Sequence, residues 1–432
     1  MIRLAFPLVL SLFAATARAD DWPQWRGPHR DGVSAEKNLL QKWPEAGPTK
    51  LWTVSGLGGG YSTPSVADGL IYGMGKKGGD PTKKRGTGGI DHVWARHEKD
   101  GSLAWSTPIG DIPNVGYDEG GRSTPTFAKG KLYAVSMGGD LLCLDAKTGK
   151  EIWRKNYVKD FGGSIQAWGY SESVLVDGDA VVGTPCSAKA AIVKFNAETG
   201  EVIWQAAVPN PGGAGGYSSP IKATIDGVEM FINLLGKSGG VVGVDAKSGK
   251  LLWRYTRVMN GTANIPTVVV RGNLVFCSTG YADGGSALLE LTKSGDKFEA
   301  KELKYHAAKE LQNHHGGMVL VGDHLYLGRG HNNGLPTCVE FKTGSIVWAE
   351  DSGAGRGNGS GCVTAADGMI YFRYQNGVVA LVKATSSGFE LNGRFAIPEP
   401  SGKPSWPHPV IANGKLYIRD QDKLHCYNVS AK

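Results

Sequence analysis

A phrase of the form Asp-Ala-x-Thr-Gly-x-x-x-Trp returns along this chain, and its recurrence restricts the fold more than any other feature. It reads Asp145-Ala-Lys-Thr-Gly149-Lys-Glu-Ile-Trp153, then Asn196-Ala-Glu-Thr-Gly200-Glu-Val-Ile-Trp204, then Asp245-Ala-Lys-Ser-Gly249-Lys-Leu-Leu-Trp253. A weaker copy runs Phe341-Lys-Thr-Gly344-Ser-Ile-Val-Trp348, and an earlier one ends Asp100-Gly101-Ser-Leu-Ala-Trp105. Two degenerate copies end at Leu303 and Phe395. Taking these with Trp52 as equivalents places one roughly every 45–53 residues, a period that belongs to propeller-type arrays. Eight equivalents predict eight blades.

Each repeat carries a second phrase upstream: a small polar start, an apolar strand, an x-Gly turn and another strand. Examples are Ser62 to Tyr72 around Asp68-Gly69, Ser123 to Tyr133 around Lys129-Gly130, and Pro409 to Tyr417 around Asn413-Gly414. Asp-Gly and Asn-Gly between short β-branched or aromatic runs signal hairpins, because such turns need positive φ. The 64 glycines, about twice the usual share and without a Gly-X-Y period, fit many tight turns rather than collagen. The expected blade is therefore a four-stranded antiparallel sheet. Each repeated Trp is expected to pack between neighbouring blades, with its indole N–H on a nearby carbonyl.

The two ends of the array complement each other. The last repeat has three strands, ending Leu424-His-Cys-Tyr-Asn-Val429, and lacks a Trp strand. Lys50-Leu-Trp-Thr-Val54 is a Trp strand with no blade before it. Pairing them completes the eighth blade and removes the open edge of the ring. The expected fold is all-β: an eight-bladed propeller over residues 50–432, after an extended segment at 20–49.

Residues 1–19 read as a secretory signal. Arg3 supplies positive charge, Leu4 to Ala15 is apolar but too short to span a bilayer, and Ala17-Arg18-Ala19 is an A-x-A cleavage site. Cleavage after Ala19 predicts a periplasmic or secreted protein. No later segment is apolar for long enough to span a membrane. Formal charge is +7, and two of the cations, Arg3 and Arg18, leave with the signal. Much of the remaining surplus is the cluster Lys76, Lys77, Lys83, Lys84 and Arg85, read as a solvated loop. The near balance elsewhere argues against a nucleic-acid-binding surface. The six cysteines show no CxxC, CxxCH or adjacent pair, and Cys143, Cys338 and Cys426 recur at one place in the repeat, as small core fillers would.

The Trp-terminated phrases resemble the PQQ-type tryptophan-docking repeats of quinoprotein dehydrogenases and of BamB-type outer-membrane assembly propellers. The resemblance covers the chain from about Trp52 to Val429, and Asp21-Trp-Pro-Gln-Trp-Arg-Gly-Pro28 with Asp31-Gly32 resembles the mature start of secreted PQQ-repeat propellers. It implies the ring. Quinoprotein dehydrogenases also carry a vicinal Cys-Cys disulfide over the quinone and bind calcium near a catalytic Asp. This chain has no Cys-Cys pair and no recognisable calcium set, so no cofactor is expected, with both PQQ and calcium disfavoured. BamB-type proteins carry a lipid-modified N-terminal cysteine, whereas Asp20 and Asp21 follow the expected cleavage site.

The turns after strands one and three are minimal, while the loops on the other face are long, at 76–92, 106–122, 154–170 and 205–217. Loops on a rigid scaffold are the usual place for binding. The segments leading into each first strand bring Tyr61-Ser62, Arg122-Ser123, Tyr170-Ser171, Tyr217-Ser218, Asn264, His314-His315, Ser360, Trp406 and His408 to the channel mouth. Aromatic faces would stack on a sugar, hydroxyls and amides would orient it, and Arg122 would pair with a carboxylate or sulfate. The serines equivalent to Ser62 are expected to tie blade to blade. His314 and His315 are the candidates for acid/base or ligand contact, with His331 beside them; adjacent His alone lacks metal-site spacing, so no metal is expected. Two functions follow. One is a monomeric binding or scaffold protein for an extracytoplasmic glycan or protein; the other is an enzyme, quinoprotein-like or polysaccharide-cleaving, at the same mouth.

Overall fold

Asp68 and Gly69 sit at φ 51° and 75°, and Asn413 and Gly414 at 58° and 69°. Two consecutive residues with positive φ make the turn whose twist matches two antiparallel strands, which is why these dipeptides close hairpins here. The computed structural model describes residues 21–431 except 81, 84, 85, 118, 214 and 215. The expected signal at 1–19, Asp20, and Lys84 and Arg85 of the basic cluster lie outside the described residues. Among those described there is no helix, and the strands form eight four-stranded antiparallel blades in a ring. Blade 1 runs from Ser65–Ala67 through Leu70–Lys77 and Ile90–His97 to Leu103–Asp111, and blades 2 to 7 repeat this order.

The core is not one mass. Eight buried clusters each join two neighbouring blades, with Trp22 of the N-terminal segment joining the one between blades 8 and 1. Both faces of each blade are thus covered, so the inner strands read as apolar runs rather than alternating ones. The repeated Trp seals this arrangement. Trp105 Nε1 donates to Ala146 O (3.0 Å), Trp153 to Ala197 O (2.9 Å), Trp204 to Ala246 O (3.3 Å) and Trp348 to Thr385 O (2.9 Å), each a carbonyl of the next blade. For Trp105, Trp153 and Trp204 the ring lies on the glycine of that blade's Thr-Gly or Ser-Gly turn, whereas Trp348 meets Phe389. A Cβ on Gly149 would fall 2.4 Å from Trp105, which explains the glycine in the repeated phrase. Trp253 differs, its N–H pointing at Met230 Sδ of its own blade (3.2 Å).

A β-bulge in the outer strand fixes the Trp position. In blade 2, Glu151 pairs with Leu144 and Trp153 with Cys143, skipping one residue, and the same shift occurs in every blade. This register corrects two of the eight sequence equivalents. The residue after the bulge is Lys304, not Leu303, and Gly393, not Phe395. Lys304 lies against Gly344 as a Trp would, whereas Gly393 is covered by Trp43. Cys143, Cys338 and Cys426 stand opposite Trp153, Trp348 and Trp52 in the same register, and all six cysteines are buried thiols.

The ends meet as expected from the sequence. Lys50–Val54 pairs antiparallel with Lys423–Asn428, with Trp52 opposite Cys426, as the outer strand of blade 8. Buried Arg419 of blade 8 donates to Ser62 O (3.0 Å) and Gly58 O (3.1 Å), and His408 N donates to Thr63 Oγ1 (2.9 Å). Similar hydroxyl ties recur around the ring, but mostly not from the serines expected. Ser62 Oγ bonds within its own blade. Ser65, Thr126 and Thr364 donate to carbonyls of the following blade at 2.7–2.8 Å, and among the residues aligned with Ser62, Ser218 does so at 3.0 Å.

The segment at 21–49 is more than an extended leader to the ring. Trp22 bridges to Val66 in blade 1, and Phe127 N of blade 2 donates to Pro23 O (2.7 Å). Arg30 donates to Ser173 O (2.6 Å) and Val174 O (3.0 Å) in blade 3, Trp25 Nε1 to Thr267 Oγ1 (3.1 Å) beside blade 5, and Arg26 to Met318 O in blade 6. Val33–Ser34 then adds a parallel fifth strand to blade 7. The segment enters from the side of the tight turns and closes the channel partway along.

Candidate ligand-binding site

The chain enters each first strand at the rim of the channel. Aligned on the inner strands, the eight rim positions are Tyr61, Arg122, Ser171, Tyr217, Ala263, His315, Ser360 and Trp406. With the channel closed from below by the N-terminal segment, all of these but Ser360 line a cavity of about 570 Å³ that opens on the long-loop face. This volume falls in the range of small-molecule pockets. Tyr61, Arg122, Tyr217, His314, His315, His331, Trp406 and His408 all line it. Tyr170 does not. Its ring is turned into the core between blades 2 and 3, edge-on to Tyr157, with its hydroxyl on Pro185 O (3.2 Å); Ser171 faces the cavity instead. Asn264 is also withdrawn, bonding Leu235 O and Gly236 O at 3.1 Å.

Several lining residues were not identified from the sequence. Trp25 forms the floor, edge-on to His408 at 4.6 Å. Tyr117, Trp168 and Tyr281 come from the long loops. Only the choice of face signalled the loop aromatics, and nothing in the local sequence signalled Trp25.

The aromatic groups form a continuous stack. Arg122 Cζ lies 4.5 Å from the Tyr61 ring, Tyr61 stacks on Trp406 (4.8 Å), and Trp406 on His315 (4.2 Å, 14° between planes). His315 touches His314 (3.6 Å), His314 stacks on His331 (4.0 Å), and His331 meets Tyr281 (4.4 Å). Tyr61, Trp406 and His314 are each flanked by two members of the stack. At these three rings a ligand therefore meets edges rather than the open faces expected for stacking on a sugar. Edges carry the positive end of the aromatic quadrupole.

The electrostatics have the same sign. The described lining residues include Arg122 and four histidines but no Asp or Glu. Glu119 connects to the site through the Tyr61 hydroxyl (2.7 Å). Burial, aided by His331, pushes the His314 imidazole down to about 3, and burial beside Arg26 pushes His408 down to about 3. Burial, then His314 and Arg122, hold His315 well below the usual imidazole range. These rings are neutral at pH 7. His314 Nδ1 is 3.2 Å from Asn332 Oδ1, His315 Nδ1 is 3.4 Å from Ser360 Oγ, and His331 Nδ1 accepts from Tyr281 N (3.3 Å). Stacked rings do not converge on a common point, and among the described residues no three His, Cys, Asp or Glu are placed to hold a metal ion.

The family described as "Outer membrane protein assembly factor BamB" matches residues 89–350. BamB of Nitrosomonas eutropha is 26% identical over 238 residues, 54% of this chain and 52% of that protein, so the match spans about half the relative's length. In structure, BamB from Moraxella catarrhalis superposes with a TM-score of 0.58 at 15% identity, covering 89% of this chain and 98% of that one. Quinohemoprotein alcohol dehydrogenase from Comamonas testosteroni gives 0.63 at 14% identity, covering 97% and 82%. Likeness at such identity shows the fold, whereas the sequence match extends over more than half of the chain. This protein belongs to the PQQ-repeat propeller family described as outer membrane protein assembly factor BamB.

Proposed function

We propose that this propeller is an extracytoplasmic binding or scaffold protein that takes an anionic group, carried by a glycan or a protein, into the cavity at its channel mouth. One observation carries the reading: the described lining combines a guanidinium, four imidazoles and the edges of a π-stack with no carboxylate. The guanidinium of such a cavity attracts negative charge, and no carboxylate on the described lining opposes it. The extracytoplasmic placement draws on the sequence-based signal and on the relatives' name as outer membrane protein assembly factors.

A quinoprotein dehydrogenase is the family's other chemistry, and this donor set does not fit it. A calcium ion takes oxygen ligands, usually several of them carboxylates, and the described lining offers no carboxylate. Six dispersed buried thiols leave no vicinal pair to lie over a quinone. A polysaccharide-cleaving site would need a general base poised near the working pH, and His314 and His408, held at about 3, are far from it, as is His315, which burial holds well below the usual imidazole range.

The test is a thermal-shift and calorimetric screen of the purified protein against acidic glycans, neutral glycans, acidic peptides, and PQQ with calcium. Acidic compounds should stabilise the protein. Arg122→Ala should weaken their binding at least tenfold with the melting temperature nearly unchanged. Preference for neutral glycans would overturn the reading, as would dye reduction after reconstitution with PQQ and calcium.

A further inference from the structure

Tyr117 lines the cavity with its backbone at φ 49°, a left-handed conformation that a bulky residue adopts only under constraint. Tyr281, which also lines the cavity, sits at φ 70°, and among the described residues no other aromatic has a left-handed backbone. Strain of this kind persists where the surrounding structure enforces it, and it collects at ligand sites. Glycine would hold the turn at 117 without strain, so what the tyrosine supplies there is its ring.

Arg122 provides the constraint. Its Nη2 donates to the carbonyls of Gly116 (3.4 Å) and Tyr117 and clamps the turn. The Tyr117 ring meets Trp406 at 5.6 Å and 75°. Tyr61 and His315 flank Trp406 in parallel, so Trp406 turns an edge to Tyr117. No second ring lies on Tyr117, which is 48% exposed, and part of its surface is open to a ligand. Tyr117 thus touches Arg122 with its carbonyl and Trp406 with its ring, which sets a charge and an open aromatic surface one residue's length apart. Arg122 Nη1 has no partner among the described residues and, unlike Nε, is not closed off. Gln375 also lines the cavity. Its Oε1 accepts from Trp406 Nε1 (3.0 Å), which leaves its amide nitrogen as a second open donor beside the same indole.

We propose that Tyr117 determines the specificity of this site and that the ligand is an acidic saccharide, a uronic acid whose ring packs on Tyr117 while its carboxylate meets Arg122. This rests on the anion-binding reading above and chooses the glycan over the protein as carrier of the charge. An acidic amino-acid side chain would use Arg122 alone. A uronic acid uses the whole corner, with its C–H face on the tyrosine, its acid on the guanidinium and a ring hydroxyl on the Gln375 amide. The same chemistry occurs in a free sugar acid and at the end of a glycan chain.

The experiment measures binding of glucuronate, a glucuronate-terminated disaccharide, glucose, propionate and a triglutamate peptide to the purified protein by calorimetry. Glucuronate should bind at least tenfold more tightly than glucose, propionate and triglutamate. Tyr117→Phe keeps the ring and should keep this affinity. Tyr117→Gly should bring glucuronate down to the level of propionate and leave propionate unchanged, a selective loss that a merely structural role cannot give. Because glycine takes the left-handed conformation at no steric cost, the same variant should melt no lower than the unmodified protein by circular dichroism. A disaccharide bound more tightly than glucuronate assigns the site to the end of a glycan, and equal or weaker binding assigns it to the free acid. If Tyr117→Gly keeps its glucuronate affinity, Tyr117 is a structural residue and the proposal is overturned. If propionate or triglutamate equals glucuronate in the unmodified protein, the saccharide falls while the anion-binding reading stands. If no acid binds, both fall.

Discussion

Trp43 lies against Gly393 so closely that a Cβ built on the glycine would fall 2.6 Å from Trp43 Cβ. Gly393 occupies the post-bulge position where six other blades place their own tryptophan. The N-terminal segment supplies the missing ring, with Trp43 N on Asn392 O (2.9 Å) and the indole in the cluster between blades 7 and 8. Trp43→Ala should therefore cost about 3–5 kcal/mol, as large aromatic truncations in cores do. Gly393→Ala should cost about 1–3 kcal/mol by overpacking. Because both act on one contact, the double variant should be less destabilised than the sum of the singles, as measured by urea denaturation.

Asp91 is fully buried and accepts from Gly121 N (3.0 Å) and Met137 N (3.1 Å), which joins blade 1 to blade 2 beneath Arg122. Burial raises its carboxyl to about 7 despite those bonds and Arg419. The folded state thus binds the proton more tightly than the unfolded chain. The associated stability is present below the unfolded value of 3.8 and is lost as pH rises through about 7. Across that window the loss is at most about 4 kcal/mol, at roughly 1.4 kcal/mol per unit. Asp91→Asn should flatten this part of the stability profile from urea melts at successive pH values. An unchanged slope between pH 4 and 7 would show that Asp91 titrates as an ordinary surface carboxylate.

His314 and His408 have the opposite sign. Both fall from 6.5 to about 3 on folding, so their neutral forms are favoured in the native state. Their contribution is complete above 6.5 and is lost as pH falls towards 3. His314→Gln and His408→Gln should each make the protein less sensitive to acid over that range. NMR titration of the imidazoles should show neither charging at pH 5, and a midpoint near 6 for either ring would contradict the burial argument.

Trp25 is only partly buried, yet it forms the floor of the cavity through Thr267 and His408. Trp25→Ala should open the cavity towards the channel. Affinity for acidic ligands should drop several-fold, while Tm falls by only a few degrees, because Arg26 and Arg30 still anchor the segment. A variant that binds normally would show that the ligand never reaches the floor.

The sequence by itself determined the ring. Each Thr-Gly and Asp-Gly turn is local chemistry, repeated at a constant spacing, and an incomplete repeat at each end leaves one way to close. It also brought Tyr61, Arg122, Tyr217, His315 and Trp406 to one mouth, because equivalent positions of a repeat must converge on the axis. Only the tertiary structure decided the register within one residue. Leu303 and Phe395 were read as Trp equivalents, and Tyr170 as a rim residue, because a bulge or a shifted loop displaces the register by one or two residues without leaving a mark in composition. Trp25 and Trp43 belong to no repeat. Their partners, Thr267, His408 and Gly393, lie hundreds of residues away, and such contacts exist only once the ring has closed around the segment that plugs it.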